Sequence, residues 1–132
     1  MRDFVKFSGV YSKEFKSKLL ILASRKEISC FLNGMNDETP EGYQGFKSIV
    51  GVGKVSELES VSENDFEILE NYIETRKDIL LGFLSYDLKN QTEKLDSKIS
   101  DGIQMPLIHF FQPELLFNLS DQHTGIEFRS TF

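Results

Sequence analysis

The residues best placed to do chemistry gather around one acidic side chain, Asp87. It follows the apolar run Ile79 to Tyr86, and Ser85, Tyr86 and Glu93 lie close by in sequence. A charge at the end of a strand that should be buried needs a partner. Two roles suit it. Its carboxylate can cap a helical turn through the amides of Lys89 and Asn90, or it can organise the wall of a pocket or interface.

Other candidates carry less. Gly51-Val-Gly53 follows an apolar run and invites comparison with a phosphate-binding loop. Ser56 stands where a third glycine is needed, and no lysine-serine pair follows. The glycines therefore read as turn formers. His109 and His123 share no metal-ligand spacing with each other or with Cys30, so no metal is assigned. Glu67, Glu70 and Glu74 fall on a solvated helix face. Acid–base work needs a carboxylate in an apolar cleft, and no catalytic residue is assigned. Cys30, within Ile28-Ser-Cys-Phe-Leu32, reads as a buried, inert thiol.

The elements that must position these residues follow from periodicity. Ser12 reads as a helix cap, and Phe15, Leu19, Leu22 and Ala23 recur at helical spacing, which predicts a helix over 12–25. Residues 28–32 read as a buried strand, and residues 35–45 as a loop. A strand over 46–52 and a short third one over 55–58 follow, separated by Gly53. Ser62 and Asp65 resemble a capping box, and Phe66, Leu69, Tyr72 and Ile73 form an apolar stripe, which predicts a helix over 63–77. Residues 79–86 read as a strand in which Gly82 marks a bulge or a close backbone approach. Pro106 and Pro113 bracket Leu107 to Phe111, which predicts a short or edge strand. Residues 115–119 and 125–131 read as a hairpin. The first eleven residues show no clean period. The fold class is α+β: a mainly antiparallel sheet with two packed helices.

At 132 residues the chain suits one domain or part of one. Hydrophobic residues make up 39%, and twelve Phe and four Tyr supply apolar surface for a core. The net charge of −6 repels phosphate backbones and anionic membranes, so neither nucleic acid nor membrane is an expected partner. A single cysteine excludes an intrachain disulfide, and the N-terminus carries no signal-peptide pattern. Both point to the cytoplasm.

Three segments carry a family resemblance: Ser29-Cys-Phe-Leu-Asn-Gly34, Gly82-Phe-Leu-Ser-Tyr-Asp-Leu-Lys-Asn-Gln-Thr-Glu93, and Met105-Pro-Leu-Ile-His-Phe-Phe-Gln-Pro113 continuing to Phe117. In this order they resemble the N-terminal region of the chorismate-utilising enzymes, component I of anthranilate synthase and of aminodeoxychorismate (para-aminobenzoate) synthase. That family shows a Gly-Tyr-x-x-Tyr-Asp-Leu run and a Glu a few residues on. The wording of the second and third segments is most similar to the para-aminobenzoate branch.

The resemblance implies that residues 1–132 are an N-terminal portion whose fold is part of the N-terminal domain of the anthranilate synthase component I fold. The chorismate-binding catalytic domain, with its Mg²⁺ ligands, would lie C-terminal to it. The activity implied for the parent is amination of chorismate in folate biosynthesis, with ammonia from a glutamine amidotransferase. No cofactor is expected in this portion. In relatives this region shapes a tryptophan pocket, whose positions fall here on Asn33, Gly34, Tyr86, Asp87, Asn90 and Glu93. The family's serine aligns with Gly34, its acidic neighbour with Asn33 and its arginine with Asn90. Those exchanges remove groups that hold an amino-acid zwitterion, so a degenerate effector pocket is expected. The anthranilate and isochorismate branches are alternatives within the family. A free-standing α+β module binding a small ligand or protein near Tyr86 is the alternative outside it.

In the family, N- and C-terminal segments share sheets, and a portion alone leaves strand edges open to other chains. Self-association through residues 107–111 or 126–131 is therefore expected. Light scattering at high concentration tests it; a clean monomer is the contrary result.

Overall fold

Two long strands, Ser48–Ser60 and Ile108–Leu119, organise the chain. The computed structural model describes residues 2–7, 12–33, 48–60, 64–89, 105–119 and 124–128, the last as backbone alone. In chain order the elements are β1 (Asp3–Phe7), α1 (Lys13–Ser24), β2 (Ser29–Asn33), β3 (Ser48–Ser60), α2 (Asp65–Arg76), β4 (Leu81–Leu84), a 3₁₀ turn (Tyr86–Leu88), β5 (Ile108–Leu119) and β6 (Thr124–Phe128). The sheet order is β1-β6-β5-β3-β2, and β4 also pairs with β5. The β1–β6, β2–β3, β4–β5 and β5–β6 pairings are antiparallel. The α+β class is therefore as the sequence predicts. Two compact units are present: residues 1–55 with 113–132, and residues 56–112.

In the first unit, Ser12 caps α1 by accepting from the Phe15 amide at 3.1 Å. Leu19 and Ala23, one turn apart, bury against Val50 and Val52 of β3 and Phe117 and Leu119 of β5. Each of the larger side chains contributes roughly 1.5–3 kcal/mol through burial, and the Ala23 methyl less. The buried strand expected at 28–32 is β2, but Ser29, Leu32 and Asn33 are exposed. The cause is its position: it ends the strand order and pairs with β3 alone among the described residues. The two strands expected at 46–52 and 55–58 are one. Gly53 does not end the first strand; it adopts φ +70° inside β3, and its amide donates to the Ile28 carbonyl at 3.0 Å. A Cβ there would stand 2.5 Å from Glu114 Oε2, so glycine suits both the dihedral and the space.

Pro113 is fully buried within β5, where the sequence predicts a strand end. β4 pairs with residues 108–111 and β6 with residues 115–119, so Pro113 falls between the two ladders. Neither ladder needs its missing N–H. Its carbonyl accepts from Arg2 Nη2 at 2.9 Å. The same pairings correct the expected open edges. Residues 108–111 are paired to β4, and residues 126–128 are paired on both sides, to β5 and to β1. Leu107 donates to the Ser60 carbonyl at 3.0 Å and accepts from the Ser85 amide at 2.8 Å. The hairpin expected at 115–131 is present as β5–β6; its turn lies outside the described residues, as does the loop expected at 35–45.

In the second unit, α2 begins at Asp65, with Asn64 as N-cap and no side-chain cap bond; Ser62, the expected cap, lies outside the described residues. Asp65 is fully buried and accepts from Ser60 Oγ. At the first residue of a helix a carboxyl also faces the positive dipole end. The buried stripe is Asp65, Leu69 and Tyr72, whereas Phe66 and Ile73 of the expected stripe are exposed. Leu69 packs with Leu88, Ile108 and Leu58. α2 ends at Lys77, in left-handed conformation at φ 47°, whose amide closes on the Ile73 carbonyl at 3.0 Å.

Gly82 meets β5 directly. An added Cβ would stand 2.6 Å from Phe110 Cα and collide with the His109 carbonyl. Gly82→Ala is expected to destabilise the chain by about 3 kcal/mol, at the upper end of overpacking costs, measured by urea unfolding.

Candidate functional site

Of the six expected pocket residues, Asn33, Tyr86 and Asp87 are described. Asn33 is in the first unit, where its Oδ1 accepts from Ser48 Oγ at 2.7 Å. Tyr86 and Asp87 are in the second. Gly34, Asn90 and Glu93 lie outside the described residues. Tyr86 is 79% exposed, and the Lys89 ammonium sits 4.0 Å from its ring centroid. The cation is attracted to the ring face.

Asp87 is exposed and does not cap the turn. Ser85 does so, its Oγ accepting from the Asp87 amide at 3.3 Å. The Lys89 amide, expected to bind the Asp87 carboxylate, donates to the backbone carbonyls of Tyr86 and Asp87 instead. A serine in extended conformation immediately before a 3₁₀ turn is the better-placed acceptor.

A different group of side chains converges in the second unit. Glu57 and Glu59 are two apart on β3 and so share a face. His109 of β5 joins them: its Nε2 lies 2.8 Å from Glu57 Oε1. One ligand atom from each of the three lies within 4.8 Å of the others. Phe83, paired with His109 in the β4–β5 register, meets the imidazole edge-on, with centroids 5.8 Å apart and planes at 74°. Three strands thus set the position and tilt of one ring. These residues escape sequence inspection because some fifty positions separate the glutamates from the histidine. The alternation Glu57-Leu58-Glu59 is the only local signal; His109 becomes relevant only once β3 and β5 are adjacent.

The neighbouring residues carry a polar chain. Gln112, 0% exposed, accepts from Ser56 Oγ at 3.2 Å and donates to Asp78 Oδ2. Ser56 Oγ also meets Tyr72 OH at 2.8 Å, and Asp78 Oδ1 accepts from the Ile79 amide at 2.8 Å. A buried amide satisfied at both ends fixes its surroundings. It offers no nucleophile.

Burial pushes the Cys30 thiol above its ordinary value. No family model, curated protein or solved structure matches the chain.

A raised thiol is protonated at pH values where a free cysteine begins to ionise, and only the thiolate attacks. Alkylation of folded Cys30 by iodoacetamide is expected to be slower than in the urea-unfolded chain, with its pH profile displaced to higher pH. Equal rates folded and unfolded are the contrary result.

Proposed function

We propose that the chain is the N-terminal portion of a chorismate-utilising synthase, of the aminodeoxychorismate (para-aminobenzoate) component I type. The observation that carries the reading is the pairing of the two most family-like segments. Leu81↔Phe111 to Leu84↔Ile108 form one antiparallel ladder, so Gly82-Phe-Leu-Ser-Tyr-Asp-Leu88 and Leu107-Ile-His-Phe-Phe-Gln-Pro113 are neighbours in space as well as similar in wording. The α+β class with two helices supports the same reading. It concerns a resemblance in sequence, and the anthranilate synthase component I fold is part of the proposal.

In this proposal the chain supplies scaffold and interface. Chorismate and Mg²⁺ are held by a separate catalytic domain, and ammonia comes from a glutamine amidotransferase. Asn33, Gly34, Asn90 and the exposed Tyr86 suit a degenerate effector pocket better than one that grips an amino acid. A free-standing binding module is the second reading, favoured by the 79% exposure of Tyr86, which leaves an aromatic face open to a partner.

The isolated 132-residue chain, incubated with chorismate, Mg²⁺ and ammonia, is expected to yield no 4-amino-4-deoxychorismate, whereas the full product of its reading frame yields it. Robust turnover by the isolated chain, or none by the full product supplied with an amidotransferase, overturns the proposal. A reading frame that closes after Phe132 favours the module.

A further inference from the structure

We propose that Glu57, Glu59 and His109 form a binding site for a divalent transition-metal ion of the Zn²⁺ class. The site is independent of chorismate chemistry, since the resemblance assigns Mg²⁺ to another domain and Mg²⁺ favours oxygen-only ligands.

The donor set is the first argument. Two carboxylates and one imidazole are the mixed oxygen–nitrogen combination that Zn²⁺ and its neighbours accept. The imidazole separates this group from an ordinary patch of surface acids. Geometry is the second. Around a small ion with bonds of about 2.0–2.1 Å, adjacent ligand atoms lie on the order of 3 Å apart. His109 Nε2 and Glu57 Oε1 are 2.8 Å apart, and Glu59 brings its oxygen within 4.8 Å of both. Glu59, exposed on the strand, is the donor that must move closer on binding. The metal takes the place of the proton shared between His109 and Glu57.

Position is the third argument. Within β3 and β5 the even-numbered Leu58, Ile108 and Phe110 belong to the cluster around Leu69 of α2, which Leu107 joins from just before β5. Glu57, Glu59 and His109 are odd-numbered and project to the opposite face. Phe83 holds the imidazole plane from the third strand, as supporting residues do in metal sites. Charge is consistent: the three side chains together are net negative whether or not the ring is protonated. Three protein donors leave at least one position for water or an incoming oxygen ligand.

Calorimetry of the chelator-treated 132-residue chain with Zn²⁺ tests this. One ion per chain with micromolar dissociation constant is expected. His109→Asn and Glu59→Gln should each weaken binding at least tenfold, and His123→Asn should leave it unchanged. Circular dichroism confirms that each variant is folded. If a variant unfolds, Cu²⁺ bound to the unsubstituted chain decides alone: pulsed electron paramagnetic resonance should show one imidazole nitrogen. No saturable binding, binding indifferent to His109→Asn, or a copper spectrum with no imidazole nitrogen or with two overturns the proposal.

Discussion

The continuity of β3 and β5 is the constraint on which the rest depends. Each is longer than a typical strand, and each passes through both compact units, β3 at Val55–Ser56 and β5 at Gln112–Pro113. Every peptide group along a buried strand must find a hydrogen-bond partner. The chain meets that demand on β5 by changing partners: β4 over 108–111, then β6 over 115–119. Gln112, Pro113 and Glu114 lie between the two ladders, and the middle one is the residue type that has no N–H to satisfy.

Polar side chains hold the second unit's helix and strands in place where apolar packing alone is permissive. In the second unit, α2 is tied down by Asp65 to Ser60 and by Tyr72 to Ser56, and Ser56 leads on to Gln112 and Asp78. Each bond contributes only about 0.5–1.5 kcal/mol net. Losing one partner costs more, because the group left behind is buried. In the first unit the ties are at the surface, Lys26 to Glu114 at 2.6 Å and Lys54 to Glu27 at 2.9 Å, and exposed pairs of this kind add little stability.

Much of the architecture was legible because it rests on local signals. Ser12 with the Phe15-Leu19-Ala23 spacing locates α1 to within a residue at its start, and the alternation of Leu115, Phe117 and Leu119 identifies the strand that pairs with β6. Gly82 announces a close approach, and the structure puts the His109 carbonyl there. The failures share a cause. Gly53 and Pro113 were boundary signals by residue type, but tertiary pairing placed both inside strands. Phe66 and Ile73 have helical spacing with Leu69, yet the face that meets the sheet is set by Leu58 and Ile108, which no helix pattern contains. The convergence of Glu57, Glu59 and His109 is legible only from strand order.

The stretch Ser56 to Ser60 has one further property. Its even positions contribute to the interior and its odd positions carry acids. Moving this strand by one residue against its neighbour would thrust two carboxylates into hydrocarbon and strand Leu58 in water. Mispairing is thus penalised twice over, and the two glutamates lock the strand's register from its outer face.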